Sequence, residues 1–291
     1  MKSHLECIPC FLRQALQAAR FVTEDEKVHE SVLRAVLCDV SEMDLRDSPP
    51  VMSRLIARRV HKYTGCSDPY LEVKRHFNQY VLDLLPRYRE MVEKAEDPLQ
   101  LAVRLAIAGN VIDFGPFSRV DEAKIEAAIM DALRDPLDTR ALAELREAIQ
   151  SAGAILYLTD NAGEIVFDRL LIEQMPREKV AVAVKGGPTL NDAMRADAEM
   201  VGLGELVEVL DNGSDAPGTM LDLCSEAFRK RFHAADLVIA KGQANYETLS
   251  EISANLFFLL KVKCPVIAED MGTPLGSMVV QRNQAERRDV A

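Results

Sequence analysis

From Gly153 onward the chain is built of short apolar runs, each followed by a helical pattern: "AILYLT" (154–159), "VAVAVK" (180–185), "LVEVLD" (206–211), "DLVIAK" (236–241) and "PVIAED" (265–270). The runs are continuous rather than alternating, so each strand is expected to be buried on both faces, as parallel sheets require. The helical stretches between them cover those faces. The pattern predicts an α/β fold: a three-layer α/β/α arrangement around a mostly parallel, doubly wound sheet. It also predicts where a site belongs, because ligands of open α/β sheets bind outside the carboxyl ends of the strands.

Residues 1–150 read almost entirely as helices. Pro9 suits a first helical position, and Leu12, Ala15, Leu16 and Ala19 follow at helical spacing. Val28, Val32, Ala35, Val36 and Val40 mark a second helix, and Pro49-Pro50 opens a third that carries Leu55, Ile56 and Val60. A longer helix is expected from about Pro69 to Lys94 with a kink or break at Pro86. "LQLAVRLAIAGNVIDFG" gives another, ending near Gly109-Asn110, and further helices fall at roughly 121–133 and 139–151. The expected organisation is an all-helical N-terminal domain over 1–150 and an α/β domain over 151–291.

A net charge of −11 argues against a nucleic-acid surface, since phosphate backbones require local Lys and Arg, but two or three placed cations suffice for a small anion. The start, "MKSHLECIPCFLRQ", lacks the pattern of a signal peptide, and "ANLFFLLKV" is a core-sized run, far short of a membrane span. A cytoplasmic protein without a membrane partner is expected. Six cysteines in 291 residues do not make a disulfide framework. Cys7-Ile8-Pro9-Cys10 has no second pair at zinc-site spacing and does not follow a βα strand, so two partly buried thiols at a helix start are expected.

Polar side chains gather at the expected strand ends. The first strand ends in Asp160-Asn161 with Glu164 just beyond; the second in Lys185, then "GGPTLND", with Asn191 and Asp192 in or near the next helix's first turn. The third ends in Asp211-Asn212-Gly213-Ser214, and the fourth in Lys241-Gly242-Gln243, with Asn245 and Glu247 following. Singly, each has an ordinary explanation. Asp160 or Asn161 would cap a helix, Thr189 with Asp192 resembles a capping box, and Asp211-Asn212-Gly213 is a turn. Their convergence on one sheet edge is what those explanations leave over. Asp and Asn oxygens are hard ligands suited to Mg²⁺ or Mn²⁺, lysines attract phosphate oxygens, and charge stabilisation dominates phosphoryl transfer. The edge predicts phosphate chemistry. A P-loop and a dinucleotide fingerprint are absent, and Ala162 stands where an aspartyl-phosphate phosphatase would place its second Asp. Direct attack by metal-activated water is the expected route.

Taken together, "LTDNAGEIVFDRLL", "VKGGPTLNDA", "LDNGSDAPGT", "AKGQANYETL" and the upstream "GNVIDFG" resemble the metal-dependent damage-control phosphatase family, over nearly the whole chain. The N-terminal Cys-x-x-Cys resembles its stand-alone prokaryotic subgroup. The resemblance implies an α/β/α domain with a helical cap that hydrolyses small phosphate esters using a divalent ion, Mn²⁺, Ni²⁺, Co²⁺ or Mg²⁺. The family's metal ligands and catalytic residues fall on Asp160, Asn161 and Asp192. Substrate contacts fall on Lys241, with Lys185, Asn245 and Glu164, and a loop of the helical part brings Asn110 and Asp113 near the substrate. The substrate class is a small phosphorylated metabolite: a sugar phosphate, a nucleotide or a damaged phosphometabolite. Two other readings stand beside this one. A carboxylate methyltransferase using S-adenosylmethionine would need a glycine-rich turn after the first strand, which is not found; a non-catalytic phosphometabolite sensor would use the same cations.

Overall fold

Helix boundaries in the first half follow capping chemistry. In a computed structural model describing residues 1–111 and 122–284, α1 spans Cys7–Val22 and α2 spans Glu26–Glu42, where the Asp25 side chain accepts the Lys27 N–H. α3 (Pro49–Thr64) starts on two prolines and stops at Gly65, whose φ of 71° ends the helix. α4 is Leu71–Glu93, α5 Pro98–Ala108 with Asp97 as its cap, α6 Glu122–Ala132 and α7 Thr139–Ser151 with Asp138 as its cap. Two expectations need correction. Pro9 lies inside the first turn of α1 rather than opening it, where its missing N–H still costs nothing. α4 runs through Pro86 without a break, held by the burial of Val81, Leu85, Tyr88 and Val92 along one face.

The second half alternates strands and helices: β1 Ile155–Leu158, α8 Glu164–Ile172, β2 Val180–Val184, α9 Arg195–Met200, β3 Glu208–Asp211 and α10 Glu226–Ala234. Then come β4 Leu237–Lys241, α11 Gly242–Leu249, β5 Leu256–Lys261, α12 Pro265–Met271 and β6 Met278–Arg282. The strand order is β3-β2-β1-β4-β5-β6, with β1 through β5 parallel and β6 antiparallel to β5. The fold is the α/β class expected. One strand is corrected: "PVIAED" is helix α12, and the fifth strand is "LFFLLK". Pro265 has no N–H for a ladder and sits at a first helical position, whereas Leu256–Leu260 is buried residue after residue.

Burial along β1 alternates between two cores. Ile155 and Tyr157 join a core with residues of α4, α5, α7 and α8, so helices on both sides of residue 150 pack on this face of the sheet. Leu156 and Leu158 join a second core with residues of α10, α11 and α12. Helices α1–α3 enclose a third around Phe11, Val32, Val36, Met52 and Ile56, against which Leu190 packs. No helix among the described residues is long and apolar enough to cross a membrane.

Candidate active site

In this strand order the connections leave in opposite directions from β1 and β4, and the crevice between their carboxyl ends is where such sheets bind ligands. β1 runs into Thr159-Asp160 and β4 ends on Lys241. Gly242, at φ +79°, starts α11 directly against the Asp160 carboxylate: a Cβ there would lie 1.9 Å from Asp160 Oδ2. Only glycine admits both that backbone and that approach.

The loop after β2 is stitched to the loop after β1. Asn161 and Asp192 form an isolated antiparallel bridge, in which the Ala162 N–H donates to Asn191 O (2.9 Å) and the Ala193 N–H to Asp160 O (2.8 Å). Lys185 and Met194 form a second, parallel bridge. Asp160, Asn161 and Asp192 are thereby brought together across all of α8 and β2. The capping explanations do not hold. The cap position of α8 is Gly163 with no side-chain cap bond, and α9 begins only at Arg195, which leaves Asn191 and Asp192 in the loop before it.

Two amides knit the carboxylates. Asp160 Oδ2 accepts from Asn110 Nδ2 and Asn161 Nδ2, both at 2.8 Å, and the same amides donate to Glu164 Oε2 at 2.8 and 3.1 Å. Asn110 arrives on the 3₁₀ turn Gly109–Val111, where a Cβ on Gly109 would stand 2.8 Å from Phe167 Cδ2. Lys241 is 0% exposed, and its ammonium donates to Ala106 O (2.7 Å), Glu164 Oε1 (2.6 Å) and Asp168 Oδ1 (2.7 Å). Its three N–H groups are therefore spent on the protein, not left for a substrate. Lys185 donates to Gly218 O and lies 3.4 Å from Asp192 Oδ2. Asn245 is likewise engaged internally: it donates to Lys241 O and Thr159 O and accepts from Thr219 Oγ1. Asp113 lies outside the described residues.

Charge in this crevice is undercompensated. Burial, then Glu164, then Asp192 hold the Asp160 pKa well above the carboxylate range. Burial lifts Asp192 to about 6 against the opposing charge of Lys185, and lifts Asp168 to about 6 against that of Lys241. For Lys241 burial disfavours the charge, yet Asp168 and Glu164 outweigh it and raise the ammonium's pKa. Asp192 Oδ2 is buried with no hydrogen-bond donor nearer than the Lys185 ammonium, 3.4 Å away. Buried carboxylates that outnumber their cations are what a further cation relieves, and the hard oxygens of Asp160, Asn161 and Asp192 suit a divalent one. Among the described residues no three or more His, Cys, Asp or Glu side chains close on one metal position; this candidate set is two carboxylates and an amide.

Several site residues escape a reading of the sequence. Asp168, 0% exposed, accepts from Tyr157 Oη as well as from Lys241; its signal was an acid one helical turn after Glu164 in the apolar stretch "EIVFDRLLI". Lys74 and Asn78 are buried polar residues at i, i+4 spacing on the apolar face of α4. Asn212 Oδ1 accepts from the Gly186 and Ser214 N–H groups, holding the loop after β3 against the one after β2.

Comparison with known proteins adds an independent line. A profile of the damage-control phosphatase ARMT1-like domain matches residues 3–279. Damage-control phosphatase PH1575 of Pyrococcus horikoshii is 36% identical over 293 residues, covering 98% of this chain and 99% of that protein. A damage-control phosphatase of Archaeoglobus fulgidus is 36% identical over 292 residues, covering 97% and 99%. The crystal structure of the Pyrococcus horikoshii protein, described as a DUF89 family member, matches with a TM-score of 0.85 at 35% identity, covering 98% of this chain and 100% of that one.

Proposed function

The chain belongs to the damage-control phosphatase family with the ARMT1-like domain, and from that premise we propose that it is a cytoplasmic phosphatase of small phosphorylated metabolites, dependent on a divalent cation. One observation carries the reading to the chemistry: the Asn161–Asp192 bridge gathers Asp160, Asn161 and Asp192 at the switch point of the sheet with their charge undercompensated. These three side chains would hold the cation. Bound there, Mn²⁺, Ni²⁺, Co²⁺ or Mg²⁺ supplies positive charge for the phosphoryl oxygens and for activating water.

The residues around it divide the remaining work. Asp160 keeps Oδ2 for the two amides, which leaves Oδ1 to face a cation or to take a proton from the attacking water. A carboxylate so placed suits that proton transfer and its return to the departing alkoxide. Lys185, with Gly218 O and Asp192 as its described partners, keeps one N–H for a phosphoryl oxygen. Lys241 acts through Glu164 and Asp168, fixing the carboxylates rather than touching phosphate. Helices α1–α3, packed on Leu190 and against Asp215 through Arg54, stand as the cap that selects the leaving group. Hydrolysis of p-nitrophenyl phosphate with Mn²⁺, with and without chelator, tests the reading; full activity in chelator sinks the metal role. Turnover that vanishes in Asp160→Ala separates an enzyme from a phosphometabolite sensor.

A further inference from the structure

The two loops that meet at Asn161 and Asp192 are joined a second time, from outside the sheet, by a side chain of α4. Asn78 is 0% exposed, so no water replaces its partners. Its Oδ1 accepts the Gly163 N–H at 2.6 Å, and its Nδ2 donates to Asp197 Oδ1 at 2.7 Å. Asp197 Oδ2 in turn accepts the Met194 N–H at 2.8 Å. Gly163 stands two residues after Asn161 and Met194 two residues after Asp192, so the path Gly163–Asn78–Asp197–Met194 runs from one ligand loop to the other. The same stretch of α4 presses on both loops. A Cβ on Gly163 would meet Phe77 Cβ at 3.2 Å, and Lys74 Nζ lies 3.4 Å from Met194 Sδ.

The position demands an amide. One side of it faces a donor, the Gly163 N–H, and the other faces an acceptor, the Asp197 carboxylate. A carboxylate would satisfy the first and oppose the second; an apolar residue would leave both buried groups unpaired. Asn78 serves no helix cap and belongs to no other network among the described hydrogen bonds, so its two bonds serve the spacing of the loops. We infer that Asn78 is a positioning residue: it sets the separation of the Asp160–Asn161 loop from the Asp192 loop, and with it the affinity of the cluster for its divalent cation. The inference rests on the metal-binding reading of the site proposed above. Hydrogen-bonding partners behind metal ligands commonly change affinity by about 10–100-fold when removed.

The test is calorimetric titration of chelator-treated protein with Mn²⁺, beside thermal unfolding of the same metal-free samples. Asn78→Asp keeps the acceptor for Gly163 and loses the donor to Asp197; the Mn²⁺ dissociation constant should rise by about 10–100-fold. Asn78→Ser, which adds no charge and is too short to reach both loops, should show a similar rise and keeps the test open if Asn78→Asp does not fold. The decisive sample is Asn78→Asp with Asp197→Asn. It exchanges donor and acceptor while retaining all three hydrogen bonds, and should recover most of the lost affinity. A merely structural role would lower the unfolding temperature of the single variants without moving the dissociation constant, and that result overturns the inference, as does a double variant that recovers no affinity. Wild-type protein that binds no Mn²⁺ overturns the proposed function and this inference with it; wild-type binding that Asn78→Asp and Asn78→Ser leave unchanged overturns the inference alone.

Discussion

Asn161 and Asp192 lie opposite each other in an antiparallel bridge that belongs to no strand of the sheet. Each residue follows a parallel strand, β1 or β2, whose chains run the same way. An antiparallel meeting of two such loops needs the chain to turn after the strands have ended. The parallel Lys185–Met194 bridge shows the chain running with β2 again by Met194, so the segment from Gly186 to Asn191 makes a full circuit, and at Leu190 it holds a non-glycine residue at φ 44°. A left-handed leucine is costly and persists only where surrounding structure fixes it; here Leu190 packs against the core of α1–α3. The helical part of the chain thus helps to hold Asp192 where it faces Asn161.

Because several buried carboxylates are held protonated more readily in the folded chain than in the unfolded one, the metal-free protein should lose stability as pH rises. Asp168 and Asp192, each at about 6, keep their protons in the folded state between about pH 4 and pH 6, where unfolded carboxylates have lost theirs. The penalty is absent below the unfolded value and complete above the folded one. Unfolding temperature in chelator should fall between about pH 4 and pH 6. Asp160→Asn removes one of the crowded charges and should raise the metal-free unfolding temperature at pH 7.5, with the two proteins converging at low pH. Parallel pH profiles would mean that Asp160 is not under this strain.

Saturating Mn²⁺ should reverse that loss. A ligand that binds only the folded chain stabilises it by about 3 kcal/mol at a hundred times its dissociation constant. At pH 7.5 the proton that competes for Asp192, at about 6, is largely gone, so the thermal shift on adding Mn²⁺ should be larger there than at pH 5. Asp192→Ala should abolish the shift. A shift equal at both pH values would place cation binding elsewhere.

Gly242 should not tolerate a side chain. A methyl group there would overlap the Asp160 carboxylate, and φ +79° adds backbone strain. Gly242→Ala is expected to cost about 1–3 kcal/mol in urea unfolding and to abolish Mn²⁺ binding in any fraction that folds. Gly204→Ala is the matched control, since nothing lies within 4 Å of its added Cβ; it should leave both measurements unchanged.

How much of this could be read beforehand depended on whether the partners were local. Apolar runs revealed four of the five parallel strands; β1, β2 and β4 are buried on both faces as such runs imply, whereas β3 lies at the sheet edge with Glu208 and Asp211 exposed. The run "PVIAED" misled, since six residues of mixed apolar character do not separate a strand from a short helix; Pro265 decided the matter. Asp160, Asn161 and Asp192 stood out by convergence at the strand ends, and the bridge between their loops gives that convergence a structural form. Asp168, Asn78 and Lys74 did not stand out. A polar residue on the apolar face of a helix reads as a single defect until its partner is known; Asp168 and Asn78 find theirs in Lys241 and Asp197, far along the chain, and Lys74 pairs with Asp68 in the turn before α4.

Lys241 offers the sharpest separation of scaffold from substrate contact. If its ammonium bound the substrate phosphate, Lys241→Met would raise KM and leave stability alone. The geometry predicts the opposite. Removing the ammonium strands Glu164 and Asp168 without their shared cation in a fully buried position, and breaking a buried ion pair costs about 3–5 kcal/mol because the remaining charge is uncompensated. Urea unfolding of metal-free Lys241→Met should show a loss of that order. Adding Asp168→Asn should return part of it, since an uncharged amide still accepts from Tyr157 Oη and no longer needs a cation beside it. A Lys241→Met variant as stable as wild type, with only KM changed, would move the lysine from the scaffold to the substrate.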